Sequence, residues 1–360
     1  MKILVITGSY PPDKCGVGDY TFHLVKFLSR LPDLEVGLMT STYPTEDYLL
    51  DNVTILHNLY SWRLRNIFKI KKLIAEYNPN IVHIQYPTTG YNGIVAKYLP
   101  ILCKAMGIKV VQTWHEHYIS CGAIGWPNVL ACDALVYVRP DLTALLPNWV
   151  KRWLYSTPKV YVPNTATIPV VFLDKERIFS LKQKLSKGKT IVCFFGFANK
   201  NKGIESLFDI VNPDTQHLVL ICDVSDKNQY QAKILDLIKQ DKWINNVTVT
   251  GFLSNHAVGE ILAVADAVLF PFPDGAGVWN TSFIAARNSG VFTVATSKQS
   301  EMLGYHSDTN TYFCACTDIL AMRQILNKYI GTRIEPKITY GWENIIQSHL
   351  ELYLTLLSRS

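Results

Sequence analysis

Residues 189–204, KTIVCFFGFANKNKGI, carry the pattern on which the fold turns. The apolar run Thr190 to Phe195 is too short for a buried helix, and Gly196 ends it. It reads as a buried strand. A polar turn with Lys200, Lys202 and Gly203 follows, and a helical pattern opens near Ile204. A strand feeding a helix through a glycine turn is one step of a βαβ unit. Downstream, strands are expected at His217 to Cys222, Val247 to Gly251, Ala267 to Phe270, Val291 to Ala295 and Thr311 to Cys314. Upstream the same alternation has already run once. Its strands are expected at Lys2 to Thr7, Glu35 to Met39, Val53 to Leu56, Ile81 to Gln85, Lys109 to Thr113, Ala134 to Val138 and Lys159 to Val162, with a helix over Asp19 to Arg30.

The alternation restarts after Pro163-Asn164 through a Lys-rich helix around Asp174 to Lys187. A chain of 360 residues also exceeds the comfortable size of one core. The expected fold is α/β, with doubly wound domains at 1–165 and 166–338. The segment 339–360 is expected to be an amphipathic helix packing back towards the first domain. Its pattern covers Tyr340 to Leu357, with Trp342, Ile345, Ile346, Leu350, Tyr353 and Leu357 available for burial. Open α/β sheets bind ligands at the carboxyl ends of their strands, so two such halves are expected to share a cleft.

Composition narrows the function. Hydrophobic residues make up 48% and charged residues 18%, a balance that suits packed cores and excludes disorder. The opening apolar run is too short for a secretory signal, and no apolar stretch approaches the roughly 20 residues that span a bilayer. The expectation is a cytoplasmic protein, with peripheral membrane contact as an option. The eight cysteines are scattered and read as thiols, and Cys314-Ala-Cys316 lacks the further ligands of a zinc site. Of the net charge of +6, residues 1–165 contribute 16 basic against 11 acidic residues, a net of +5. An anionic partner belongs on that half; nothing in the pattern calls for nucleic acid.

Four segments carry chemistry. Gly16, Val17 and Gly18 lie in a loop that opens a helix, where backbone amides can approach phosphate or sugar oxygens. Thr21 stands where a dinucleotide fingerprint needs its third glycine, which weakens a nicotinamide-enzyme reading. His115 follows directly after a strand, where a neutral imidazole can hydrogen-bond a sugar or relay a proton; His117 reads as an ordinary rim residue. Lys202, with Lys200 as a helper, is placed to neutralise a diphosphate. In the loop 270–282, small residues are expected to free backbone amides for a ligand, and Asp274 offers a carboxylate to sugar hydroxyls or a charged transition state.

In their order and spacing, these segments resemble glycosyltransferase family 4, a retaining family with the GT-B architecture, in which two Rossmann-like domains face each other across a cleft. The likeness runs over nearly the whole chain, through Cys15-Gly-Val-Gly-Asp-Tyr20, Thr113 to Glu116, Val162-Pro-Asn164, Lys202-Gly203, Thr250-Gly-Phe-Leu-Ser254 and Ala265 to Phe272 with Gly290 to Thr296. The resemblance implies that Lys202 grips the donor diphosphate, that Gly16, Val17 and Gly18 cover it, and that His115 lies near the transferred sugar. Asn199, Gly275, Ala276, Gly277 and Val278 would line the donor, and the backbone of Phe252 and Leu253 would meet the base. The family uses no metal, so the only co-substrate implied is a nucleotide-sugar such as a UDP- or GDP-sugar.

The chain departs from that family at two points. The usual glutamate pair would fall at Gly277 and Ala285, and the arginine that usually precedes the lysine is absent. The loop resembles instead the branch reading Pro-Phe-x-Asp-Gly, with Asp274 in place of the first glutamate. Two functions follow: hexosyl transfer to a glycan or lipid-linked acceptor in cell-surface polysaccharide or glycoconjugate synthesis, or a catalytically silent relative that binds nucleotide or scaffolds a partner. Over residues 62–74, Arg63, Arg65, Lys69, Lys71 and Lys72 interleave with Trp62, Leu64, Ile67, Phe68 and Ile70 in an expected helix that would suit an anionic membrane surface; Trp149, Lys151, Arg152 and Trp153 form a second such segment.

Overall fold

The computed structural model describes residues 1–56, 59, 61–88, 90–116 and 131–358, with the side chains of Thr143 and Leu145 left aside. His117 and Cys121 lie outside the described residues. The chain divides into two compact units, Met1–Asn164 with Tyr340–Ser360, and Thr165–Thr339.

The strands of the first unit are β1 (Lys2–Thr7), β2 (Glu35–Thr40), β3 (Val53–Leu56), β4 (Ile81–Tyr86), β5 (Lys109–Trp114), β6 (Ala134–Tyr137) and β7 (Lys159–Tyr161). They form a parallel sheet in the order β3-β2-β1-β4-β5-β6-β7. Nearly every residue of the central strands is buried, because helices cover both faces. One face packs on the helices Ile67–Tyr77 and Val95–Ala105. The other packs on the opening helix Gly16–Leu28 and the closing helix Trp342–Ser358.

The closing helix belongs to the first unit although the whole of the second unit precedes it in the chain. Trp342 lies among Tyr20, His23 and Phe27 of the opening helix, with ring centroids 5.2, 5.2 and 5.8 Å away. Burying side chains of this size contributes about 1.5–3 kcal/mol each. The buried stripe is Trp342, Ile345, Ile346, His349, Leu352, Tyr353 and Leu356. The apolar pattern put Leu350 inward, but His349 takes that place. Its ring lies 5.3 Å from the His83 ring between centroids, which makes it part of the polar cluster described below.

In the second unit the strands are β8 (Thr190–Phe195), β9 (Gln216–Ile221), β10 (Val247–Val249), β11 (Ala267–Phe270), β12 (Thr293–Ser297), β13 (Gly304–His306) and β14 (Thr311–Ala315). Their order is β10-β9-β8-β11-β12-β14-β13, parallel except for β13, which pairs antiparallel with β14 at the edge. The expected strand Val291 to Ala295 is shifted to Thr293–Ser297. Gly290 turns at φ +74°, and Val291 is held in an isolated bridge to Arg333 before the sheet begins.

Two further expectations change. The opening helix starts at Gly16 rather than Asp19, since the Asp19 amide already donates to the Cys15 carbonyl at 2.9 Å. The basic helix runs over Ile67–Tyr77, after a single 3-10 turn at Leu64–Asn66, so Trp62 lies outside it. Trp62 is fully buried and donates from its indole Nε1 to Ser41 Oγ at 3.0 Å. It is therefore a core residue and not an aromatic end that meets lipid.

Candidate functional site

In the second sheet the strand order reverses between β8 and β11, the point at which open α/β sheets leave a crevice for ligands. Lys202 follows β8, in a 3-10 turn at Lys200–Lys202. Asn199 precedes the turn as an exposed residue, its carbonyl accepting from the Lys202 amide at 2.9 Å. Gly203 has φ +61°, and a Cβ there would stand 2.3 Å from the Pro271 carbonyl oxygen. Glycine is thus what lets the lysine turn lie against the loop that follows β11. The Lys202 ammonium sits 4.3 Å from the centroid of the Phe272 ring.

Asp274 and its loop come next to this lysine turn. The Asp274 carboxylate accepts from Lys298 Nζ at 2.6 Å, an exposed pair that raises the lysine's pKa through the hydrogen bond and the charge. Lys298 follows β12 and joins the site through the strand that extends beyond its expected end. The sequence signal was available, a lysine directly after a strand of small residues, but the expected strand stopped at Ala295.

The amides of the loop are otherwise engaged than expected. Those of Gly275, Ala276 and Gly277 donate to Phe272 O at 3.0 Å, Thr296 O at 2.7 Å and Asn280 Oδ1 at 2.8 Å. They shape the loop and do not present free donors, which corrects the expectation that small residues leave these amides for a ligand. Gly277 serves another need, since a Cβ there would stand 2.3 Å from the Trp279 ring. Val278 is exposed beside it. Phe252 and Leu253 follow β10, two strands from β8; Phe252 is 63% exposed and Leu253 packs partly on the core.

The first unit differs in character. Gly16, Val17 and Gly18 form the first turn of the opening helix, not a loop before it. Gly18 is buried, and a Cβ there would come within 3.1 Å of the Ser9 carbonyl oxygen, whereas Gly16 faces open space. Two residues on, Tyr20 meets His115 edge to face at 4.8 Å between centroids. The helix start and the residue after β5 are thereby brought together.

His115 belongs to a buried polar cluster. Strands β4 and β5 lie in register, with Gln85 opposite Thr113, so the alternation of a strand puts His83, Gln85, Thr113 and His115 on one face. His115 Nε2 lies 2.9 Å from Gln85 Oε1, Gln85 Nε2 lies 3.2 Å from His83 Nε2, and His83 Nε2 lies 2.7 Å from Thr113 Oγ1. His83 Nδ1 meets the Tyr353 hydroxyl of the closing helix at 2.6 Å. Burial, reinforced by the nearby His349, pushes the His115 imidazole down to about 3. Burial holds His349 at about 4 and His83 well below its ordinary value. All three rings are therefore neutral near pH 7. His83, Gln85 and His349 were not singled out in the sequence, and Tyr353 was expected only as a buried residue of the closing helix; polar residues two apart inside the buried run IVHIQY were the visible signal.

Two parallel doubly wound units in tandem define the GT-B architecture, and the comparisons agree. Sucrose-phosphate synthase from Thermosynechococcus elongatus superposes with a TM-score of 0.75 at 14% identity, covering 100% of both chains. HepE of Anabaena, solved with UDP and glucose, gives 0.70 at 15% identity over 99% of this chain and 100% of its own. A glycosyltransferase from Rickettsia africae gives 0.73 at 16% identity over 100% and 99%. By sequence, residues 15–168 match Glycosyltransferase Family 4. No curated protein matches the chain.

Proposed function

We propose that the protein is a retaining, metal-independent glycosyltransferase that moves a hexosyl group from a UDP- or GDP-sugar to a glycan or lipid-linked acceptor. The observation that carries this reading is Lys202, held at the strand-order reversal of the second unit by Gly203 against Pro271 and by the Phe272 ring. A cation fixed there meets the charge that develops as the bond between the sugar and the diphosphate breaks. The acceptor hydroxyl forms the new bond on the same face of the sugar and gives up its proton to the departing phosphate oxygen. Asp274, steadied by Lys298, receives sugar hydroxyls, and the neutral His115 of the first unit hydrogen-bonds the transferred sugar. The solved complex of HepE with UDP and glucose supports a nucleotide-sugar as the donor.

Acceptor and place are part of the same proposal: a cytoplasmic enzyme of cell-surface polysaccharide or glycoconjugate synthesis, resting on an anionic membrane that carries the acceptor. Among the described residues no helix is long and apolar enough to cross a membrane. Supporting peripheral contact, Phe68 is 83% exposed beside the exposed Lys69, Lys71 and Lys72, and Trp153 is 62% exposed beside Lys151 and Arg152. Vesicle flotation tests this: the protein is expected to rise with anionic vesicles and to stay down with neutral ones, and equal behaviour on both would remove the membrane from the proposal.

Gly277 and Ala285, at the positions of the family's glutamates, favour a second reading, a nucleotide-binding relative without transfer. Thermal shifts against a panel of nucleoside diphosphates, followed by product assays with the matching sugars, separate the two. Binding with turnover supports the enzyme, binding without turnover the silent relative, and no binding ends both.

A further inference from the structure

The buried cluster of the first unit contains a residue that acts on His115 without touching substrate. Gln85 is completely buried and stands between two imidazoles. Its Oε1, at 2.9 Å, can only accept, so His115 Nε2 is the nitrogen that carries the proton. Its Nε2, at 3.2 Å, can only donate, so His83 Nε2 accepts, and Thr113 Oγ1 at 2.7 Å supports that nitrogen. The proton of His83 then sits on Nδ1 and is donated to the Tyr353 hydroxyl at 2.6 Å. Donation thus runs in one direction, from the residue after β5 to the closing helix. His115 Nδ1 is left as a bare lone pair with no hydrogen bond among the described residues, on a residue that keeps 8% of its surface exposed.

The geometry points to Gln85 as a positioning residue: oriented by His83, its amide fixes His115 in the Nε2–H tautomer, so that Nδ1 accepts a hydrogen bond from a hydroxyl of the substrate and does not donate one. This rests on the reading that His115 meets the sugar. The substrate chemistry follows: the group His115 receives is a donor such as a sugar hydroxyl, and a substrate offering only an acceptor there is refused, because two facing lone pairs are left unpaired. A flipped Gln85 amide would reverse every donor in the series and put the proton on His115 Nδ1, so the tautomer itself is the decisive observable.

Long-range proton–nitrogen spectra of the full chain labelled at histidine, at neutral pH, measure it directly, with His115→Gln removing and so assigning the His115 signals. The wild-type protein is expected to show a protonated Nε2 and an unprotonated Nδ1 on His115; the opposite pattern overturns the proposal whatever the variants do. In Gln85→Leu the two tautomers are expected to mix and kcat to fall about tenfold, with the KM of the nucleotide-sugar within about twofold. Gln85→Glu, which keeps the acceptor, is expected to restore the single tautomer. An unchanged tautomer in Gln85→Leu overturns the proposal. Because the spectra need no substrate, full turnover in His115→Gln beside a locked wild-type tautomer would strike the functional reading of His115 and leave the lock standing.

Discussion

At the carboxyl end of the first sheet the polar side chains are sunk beneath two helices, whereas at the same end of the second sheet they stand in solvent. His83, Gln85 and His115 are buried, uncharged and hydrogen-bonded to one another. Asp274 and Lys298 are exposed and charged, and each is held by a loop. The two regions do different physical work with the same topology. A buried network fixes direction, because an unsatisfied group there costs about 1–3 kcal/mol, so each proton has one place to be. An exposed charge fixes little by itself, and the second unit instead places its cation by backbone shape, through a glycine that no other residue replaces without displacing Pro271.

Lys202→Ala should break the comparison most severely. Loss of the cation is expected to lower kcat by roughly 10²–10³-fold while the melting temperature stays nearly constant. Wild-type turnover in steady-state assays would take the second unit's lysine out of the chemistry.

Next in size is Gly203→Ala. The left-handed backbone and the clash with Pro271 O together should cost about 2–4 kcal/mol in chemical denaturation and move Lys202 from its place. A variant as stable and active as the parent would show that the loops after β8 and β11 part freely.

Acid should distinguish the units more gently. The folded values of His115 and His349, about 3 and about 4, lie below the ordinary 6.5. Above about pH 6.5 both the folded and unfolded chains keep these rings neutral, and the stability is full. Between there and about pH 4 the unfolded chain takes up protons that the fold refuses, so stability falls as pH falls, by up to about 1.4 kcal/mol per unit for each ring. Melting followed from pH 7.5 to 5 should show the decline. A flat profile would mean that the cluster is not the dry, neutral one described.

The smallest effect is expected from Lys298→Met. Water and salt screen an exposed pair, so denaturation midpoints should hardly move, and turnover should fall less than in Asp274→Ala. Equal losses of turnover in the two variants would make the lysine, too, a direct contact of the substrate.

Much of this was legible in one dimension. The strand runs, the restart after Asn164 and the amphipathic closing segment follow from period and length, since a buried parallel strand is apolar at every position and a covering helix at every third or fourth. Lys202-Gly203 was legible because a strand, a turn and a helix fix where the residue between them must lie. The polar cluster was not. His83 and Gln85 sit inside a run that reads as core, and their partner Tyr353 comes 270 residues after His83. Nor could the sequence tell which amides of the 275–277 loop were engaged, because their acceptors include Thr296 O, which arrives with a later strand.

The sequence by itself determined two doubly wound units, the place where one ends and the next begins, and a lysine at a strand's carboxyl end. Those depend on local period and turn chemistry, which neighbouring residues carry between them. Only the tertiary structure decided that His349 and not Leu350 turns inward on the final helix, that Trp62 is core, and that His115 is neutral with a neighbour at its Nε2. Burial and hydrogen-bond partnership belong to whatever the fold brings near, and here the partners are supplied by strands and a helix far apart along the chain.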